Sequence, residues 1–164
     1  MPCNEPIRIT YRTRLACGVF HDVYIESISF VNGVAAAQAC GTTMNVKDMV
    51  KGATALLLVN NPMGFPPADS LEGACNSNWR VMTGACWKAS FQVTASGMAS
   101  DGKDKGDIVL QALPNLWPCS YSYCCLQMIR VCIINGKRVV TEIPGGTNGE
   151  CEPNPLPGCV PVCD

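Results

Sequence analysis

The side chains best equipped for chemistry in this chain of 164 residues are its 12 cysteines and its single histidine. Cys17 and His21 stand four positions apart, and an imidazole placed beside a thiol can take its proton and leave a nucleophilic thiolate. Nothing else in the sequence completes such a site. No oxyanion motif accompanies the pair, and the Gly-x-Ser-x-Gly, His-Glu-x-x-His and phosphate-loop patterns are all absent. A cysteine among eleven others is ordinarily spent on a bridge, so the favoured reading is a bonded Cys17 and a surface His21 beside Asp22. No catalytic residue and no cofactor is assigned, and the chain reads as a non-enzyme.

Metal is the competing use for so many thiols. Structural zinc and iron–sulfur sites draw on Cys-x-x-Cys pairs or on histidines. Apart from the adjacent Cys124-Cys125, the tightest spacings are Cys159 to Cys163 and Cys119 to Cys124, and neither fits. The acidic turn with Asp101, Asp104 and Asp107 lacks the order of a calcium loop, and Lys103 and Lys105 oppose a cation there. No metal is expected. Disulfides among Cys3, Cys17, Cys40, Cys75, Cys86, Cys119, Cys124, Cys125, Cys132, Cys151, Cys159 and Cys163 are expected instead, which points to an oxidising, secreted or cell-surface location. Neighbouring strand side chains face opposite ways, so Cys124 and Cys125 should serve different partners, one stapling to the core and one to the C-terminal strap.

Trp79, Trp87 and Trp117 are the residues that could stack a sugar ring. Core packing is the commoner use of tryptophan in a β domain, and Trp79 and Trp117 are retained as possible stacking residues. Composition narrows the partners further. The chain is 48% apolar and 15% charged, with net charge -1, and has no basic run, so nucleic acid is not expected. Its longest dense apolar stretch, Ala53 to Val59, is too short to span a bilayer. The N-terminus shows no basic region followed by an apolar one, so either a leader has been removed or the chain is not exported; Met1 before Pro2 favours removal.

The elements that must position these residues read mostly as strands. Ile7 to Thr13 alternates apolar and polar residues, Asp22 to Val31 follows, and Cys17-Gly18 lies in their connection. The stretch from Val34 to Cys40 fits either strand or helix. Asn45 to Asn60 predicts a helix, with Asn45 as cap and Val46, Met49, Val50, Ala53 and Leu57 on one face. Met63 to Pro67 opens an irregular segment that reads as an exposed loop. Trp79 to Thr83 and Cys86 to Ala95 resemble strands joined at Gly84-Ala85, with Trp87, Ala89, Phe91 and Val93 on one face of the second. Ile108 to Ala112 is a short strand. Tyr123 to Ile134 and Lys137 to Ile143 predict a hairpin closed by Asn135-Gly136, a dipeptide suited to a type I′ turn.

The chain is thus expected to be mainly β, with antiparallel sandwich-like sheets and one short helix, stapled by disulfides. It divides into a globular body, 1–143, and a Pro/Gly/Cys-rich strap, 144–164, that holds five prolines and three cysteines.

Cys86-Trp87, Pro118-Cys119, Cys124-Cys125 and Cys132, followed by a hairpin and a Cys/Pro-rich ending, resemble small uncharacterised cysteine-rich exported proteins of Bacteroidota-type bacteria. The resemblance covers the C-terminal half and implies an extracytoplasmic location without a defined activity. The function expected from these features is an extracellular structural protein, a self-assembling subunit of a surface filament, layer or matrix, whose partner is itself. The alternative is a surface adhesin or carbohydrate-binding module.

Overall fold

The computed structural model describes residues 4–41, 44–96, 109–120, 124–145, 149–151 and 157–163. Its strands are β1 (Ile7–Ala16), β2 (Phe20–Phe30), β3 (Cys75–Gly84), β4 (Cys86–Ser96), β5 (Val109–Pro118), β6 (Cys124–Ile134), β7 (Lys137–Ile143) and β8 (Val160–Pro161); its helices are α1 (Gly33–Gly41) and α2 (Val46–Asn60). The mainly-β, disulfide-stapled class is what the structure shows. In detail the strands join one eight-stranded sheet in the order β7-β6-β3-β2-β5-β4-β8, with β1 also on β2, and the helices stand where a second sheet was expected.

One strand pair also departs from the antiparallel expectation. β2 and β3 run parallel, with His21 opposite Trp79 and Tyr24 opposite Met82. The reason is the connection: α1, α2 and the loop after them carry the chain back to the starting end of β2 before β3 begins, as a crossover does. The small-residue stretch left open between strand and helix is α1, whose Ala36 and Cys40 are buried. α2 begins as its sequence predicts. Asn45 Oδ1 accepts the Asp48 N–H at 2.9 Å, and Met49, Val50, Ala53, Leu57 and Leu58 face the core. At its far end the left-handed Asn61 donates its N–H to the Leu57 carbonyl at 3.0 Å.

The sheet forks at β2. The first half of β2 bonds β3, while its second half bonds β5 through Ile28–Leu116 and Ser29–Asn115. One arm of the fork is β3-β6-β7 and the other is β5-β4-β8. β5 is longer than the strand expected from Ile108 to Ala112, and it holds Pro114 and Pro118. Most of its second edge lies away from β2, where a residue without an N–H breaks no ladder bond. Val23, Ile25, Trp79, Val81, Trp87, Leu116 and Ile129 line the core face against α2. Phe91 and Val93 belong to β4, but their side chains lie outside the described residues, as does the Asp101–Asp107 turn.

The hairpin β6–β7 closes at Asn135-Gly136 as predicted, both residues having positive φ, 53° and 67°. Glu72 caps this turn from outside by accepting the N–H groups of Asn135 and Gly136 at 2.8 and 3.0 Å. Those two hydrogen bonds hold the Glu72 carboxyl below its ordinary range. The Met63–Pro67 segment is anchored rather than free. Met63 and Phe65 pack on the core, Pro67 is buried, and the Pro66 and Pro67 carbonyls accept hydrogen bonds from Trp79 and Arg138.

The strap is fastened to the body by all three of its cysteines, through Cys86–Cys151, Cys119–Cys159 and Cys125–Cys163. Their body partners gather at one place, the corner between β3 and β4. Cys86 opens β4, Cys119 donates its N–H to the Cys86 carbonyl at 2.8 Å, and Cys125 lies opposite Thr83. Val162 is buried, and its N–H reaches the Ala85 carbonyl at 3.0 Å. Gly149 makes the crossing possible, since a Cβ there would run into the backbone of Cys124. A fourth bridge, Cys75–Cys132, ties β3 to β6. Cys40 is disulfide-bonded as well, and Cys3 lies outside the described residues.

Two cysteines depart from the expected framework: Cys17 and Cys124 are not in disulfides. Strand alternation does send Cys124 and Cys125 to opposite faces, but only the buried Cys125 has a bridge. Cys17 sits at the tip of the β1–β2 turn, beyond the Trp79 end of β3, while Cys124 pairs with Gly84 at the other end. At a rise of about 3.3 Å per residue they lie more than about 15 Å apart, and a bridge needs Cα atoms within about 7 Å.

Candidate binding groove on the outer sheet face

The face of the sheet turned away from the helices takes its character from alternation. In β1 the residues Ile7, Ile9 and Tyr11 pack toward the core, so Arg8, Thr10 and Arg12 turn outward. In β2 the outward residues are Asp22, Tyr24 and Glu26. The register slips between Thr10 and Tyr11, which face Ser27 and Ile25, so Glu26 is the extra residue of a β-bulge. A bulge bends its strand and re-aims the side chains beside it. Here it falls where β2 leaves β3 for β5, and the two arms of the fork open a concavity above it.

Two adjoining hollows result. The larger, about 660 Å³, is lined by Thr10, Arg12, Tyr24, Glu26, Ser27 and Trp117. The smaller, about 340 Å³, shares Arg12 and Tyr24 and adds Thr13, Arg14, Asp22 and Met82. Trp117 comes from β5, directly across the ladder from Lys88 of β4, so the two side chains share the outer face. Aromatic surface, hydroxyls, a carboxylate and guanidinium groups therefore line one open groove. A second cavity, about 400 Å³, lies between the helices and β5, with Phe30, Met49 and Leu116 in its walls and no charged residue lining it.

An ion cluster stiffens one end of the groove. Asp22, only 1% exposed, accepts from Arg80 through Nε at 2.6 Å and Nη2 at 2.9 Å, and from Arg14 Nε at 2.7 Å. Arg80 is held from its other side by the Phe20 ring, 4.3 Å from its guanidinium carbon. Burial alone would raise the Asp22 pKa, but the hydrogen bonds and charges of Arg80 and Arg14 outweigh it and hold the carboxyl below its ordinary value. An acid whose pKa is lowered on folding stabilises the fold above its unfolded value, near 4, and loses that contribution as pH falls through the lowered one. Asp22→Asn should therefore cost about 2 kcal/mol at pH 7, less than the 3–5 kcal/mol of a fully buried pair because Arg14 is 69% exposed. Urea titrations from pH 7 to pH 2 should show the variant and the parent converging in acid; a constant gap would refute the assignment.

The tryptophans separate cleanly. Trp117 is half-buried and lines the groove, whereas Trp79 is fully buried and cannot stack a ligand. Trp79 instead donates its Nε1–H to the Pro66 carbonyl at 2.6 Å and meets the Phe65 ring edge-on at 5.4 Å. Trp87 is also wholly buried, its Nε1–H on the Gly84 carbonyl at 2.9 Å. Cys17 is an exposed thiol, and His21 packs its ring on Phe65, 4.8 Å between centroids. Sequence reasoning missed Arg12, Tyr24 and Glu26, and the signal available was the alternation that sets Arg8, Thr10 and Arg12 of β1, and Asp22, Tyr24 and Glu26 of β2, each on one face of its strand.

Among the described residues no group of His, Cys, Asp and Glu could hold a metal ion, and no helix is long and apolar enough to cross a membrane. Set against known protein families, curated proteins and solved structures, the chain matches none.

Proposed function

We propose that the chain is an extracytoplasmic binding module for carbohydrate, using the outer-face groove at the fork of the sheet. The observation that carries this reading is the joint presence of Trp117 and Tyr24 in one groove with Thr10, Ser27, Arg12 and Glu26. Sugar recognition needs apolar ring faces to stack on and fixed polar groups for the hydroxyls, and this groove offers both. The disulfide framework suits an oxidising compartment, and it ties down the corner from which the fork arms diverge.

Assembly with copies of itself is the second reading, and the observation in its favour is that β1 and β7 each have one unpaired edge among the described residues. Charge weighs against it. The chain carries little charge overall, yet Arg8, Arg12 and Arg14 lie on β1, and the exposed Lys137 and Glu142 on β7. Charged edges are how soluble sheets avoid pairing with each other.

A glycan array probed with the oxidised protein tests the proposal. Binding that falls at least about fivefold in Trp117→Ala, with thermal unfolding unchanged, is the expected result, since a stacked ring is worth about 1 kcal/mol or more. No glycan bound, together with ordered polymers visible by light scattering and microscopy, would refute it and favour assembly.

A further inference from the structure

Resting on the carbohydrate reading above, we infer that the groove selects acidic glycans, those with carboxylate or sulfate groups, over neutral ones. At the groove itself four cationic side chains, Arg12, Arg14, Arg80 and Lys88, stand with two carboxylates, Asp22 and Glu26, so this surface is positive on a chain of net charge -1. Asp22 is shared between two guanidinium groups and cannot neutralise both. Lys88 stands across from the stacking residue Trp117.

The way the two exposed arginines are held matters more than the count. Arg12 pairs with Glu26 through Nε, and Arg14 pairs with Asp22 through Nε. Each guanidinium is thereby fixed at its inner nitrogen, and its two terminal nitrogens have no partner among the described residues. Their side chains remain 79% and 69% exposed. A guanidinium anchored in this way presents a ready fork to a planar carboxylate or a sulfate, with little rotamer freedom left to lose on binding. Arg12 and Arg14 lie two residues apart on one strand, so their forks are spaced about 7 Å along the groove. That arrangement fits a polymer with repeated anionic groups.

The same geometry disfavours nucleic acid. The cations form a short cluster rather than the extended track that a phosphate backbone follows.

Calorimetric titration of the oxidised protein with tetragalacturonate, cellotetraose and a short oligo-thymidine tests the inference at low salt and again at about 0.5 M salt. Tetragalacturonate should bind roughly tenfold or more tightly than cellotetraose, the preference should collapse at high salt, and Arg12→Gln with Arg14→Gln should abolish it. Equal binding of both sugars, lost in Trp117→Ala, would overturn the inference and leave the carbohydrate reading standing. Binding of neither sugar would overturn both, and oligo-thymidine bound as tightly as tetragalacturonate would replace a glycan with a nucleic acid.

Discussion

Replacing Cys125 and Cys163 together by alanine should lower the unfolding free energy by about 4 kcal/mol, and reducing every bridge should unfold the chain at room temperature. The strap bridges span sequence separations of 65, 40 and 38 residues. Closing a loop of that size removes freedom from the unfolded chain worth about 4 kcal/mol in the chain-entropy account. The loops overlap, so the three contributions are not additive. Domains of this kind are stable by only about 5–15 kcal/mol, so losing one bridge leaves a marginal fold and losing all of them leaves none. The native state loses packing too, because Cys125 and Val162 are buried and the strap supplies β8. Urea titration followed by circular dichroism measures the change. A double variant within about 1 kcal/mol of the parent would show that the strap is decoration rather than support.

The second large effect is expected at Trp79, where alanine should cost about 3–5 kcal/mol. This side chain is fully buried between the crossover loop and the sheet. Phe65 meets one edge, and the Arg138 guanidinium lies 5.8 Å from the ring centroid. Arg138, itself only 4% exposed, reaches the Pro67 carbonyl at 2.8 Å and Asp69 at 2.7 Å, so ring, loop and β7 lock one another in place. Trp79→Phe separates the two components of the loss. It keeps most of the volume but strands the Pro66 carbonyl, and should cost about 1–3 kcal/mol. If Trp79→Ala were tolerated within about 1 kcal/mol, the loop would not depend on this residue for its position. Because Trp79 lies on the core face and Trp117 on the outer one, the first substitution should act on stability and the second on binding.

How much could be read from the chain depended on whether the deciding contacts were local. The Asn135-Gly136 turn and the Asn45 cap are decided within a few residues, and both formed where their residues placed them. The alternation of Trp79, Val81 and Thr83 shows that they share a face. It cannot show that this face is covered by the helices and the loop after them, so on sequence alone Trp79 remains a stacking candidate. The polar and apolar faces of β1 were legible too, but the groove needed more. Arg12, Glu26 and Trp117 meet only because a bulge in β2 coincides with a change of strand partner, and no local pattern encodes that coincidence. The parallel β2–β3 pair was hidden for a related reason: its direction follows from the whole crossover through α1, α2 and the loop after them, and the small residues of α1 fit strand and helix equally well.

The bridges also determine how the molecule carries mechanical tension. A pull between Cys75 and Cys163 does not travel along the intervening backbone. It passes through Cys75–Cys132, the short stretch of β6 back to Cys125, and Cys125–Cys163. That stretch is already a strand and measures about 25 Å at full extension, so there is almost no slack to release. While the disulfides last, β4, β5 and β8 lie off the line of force, shielded from shear in a way that no count of buried contacts would reveal.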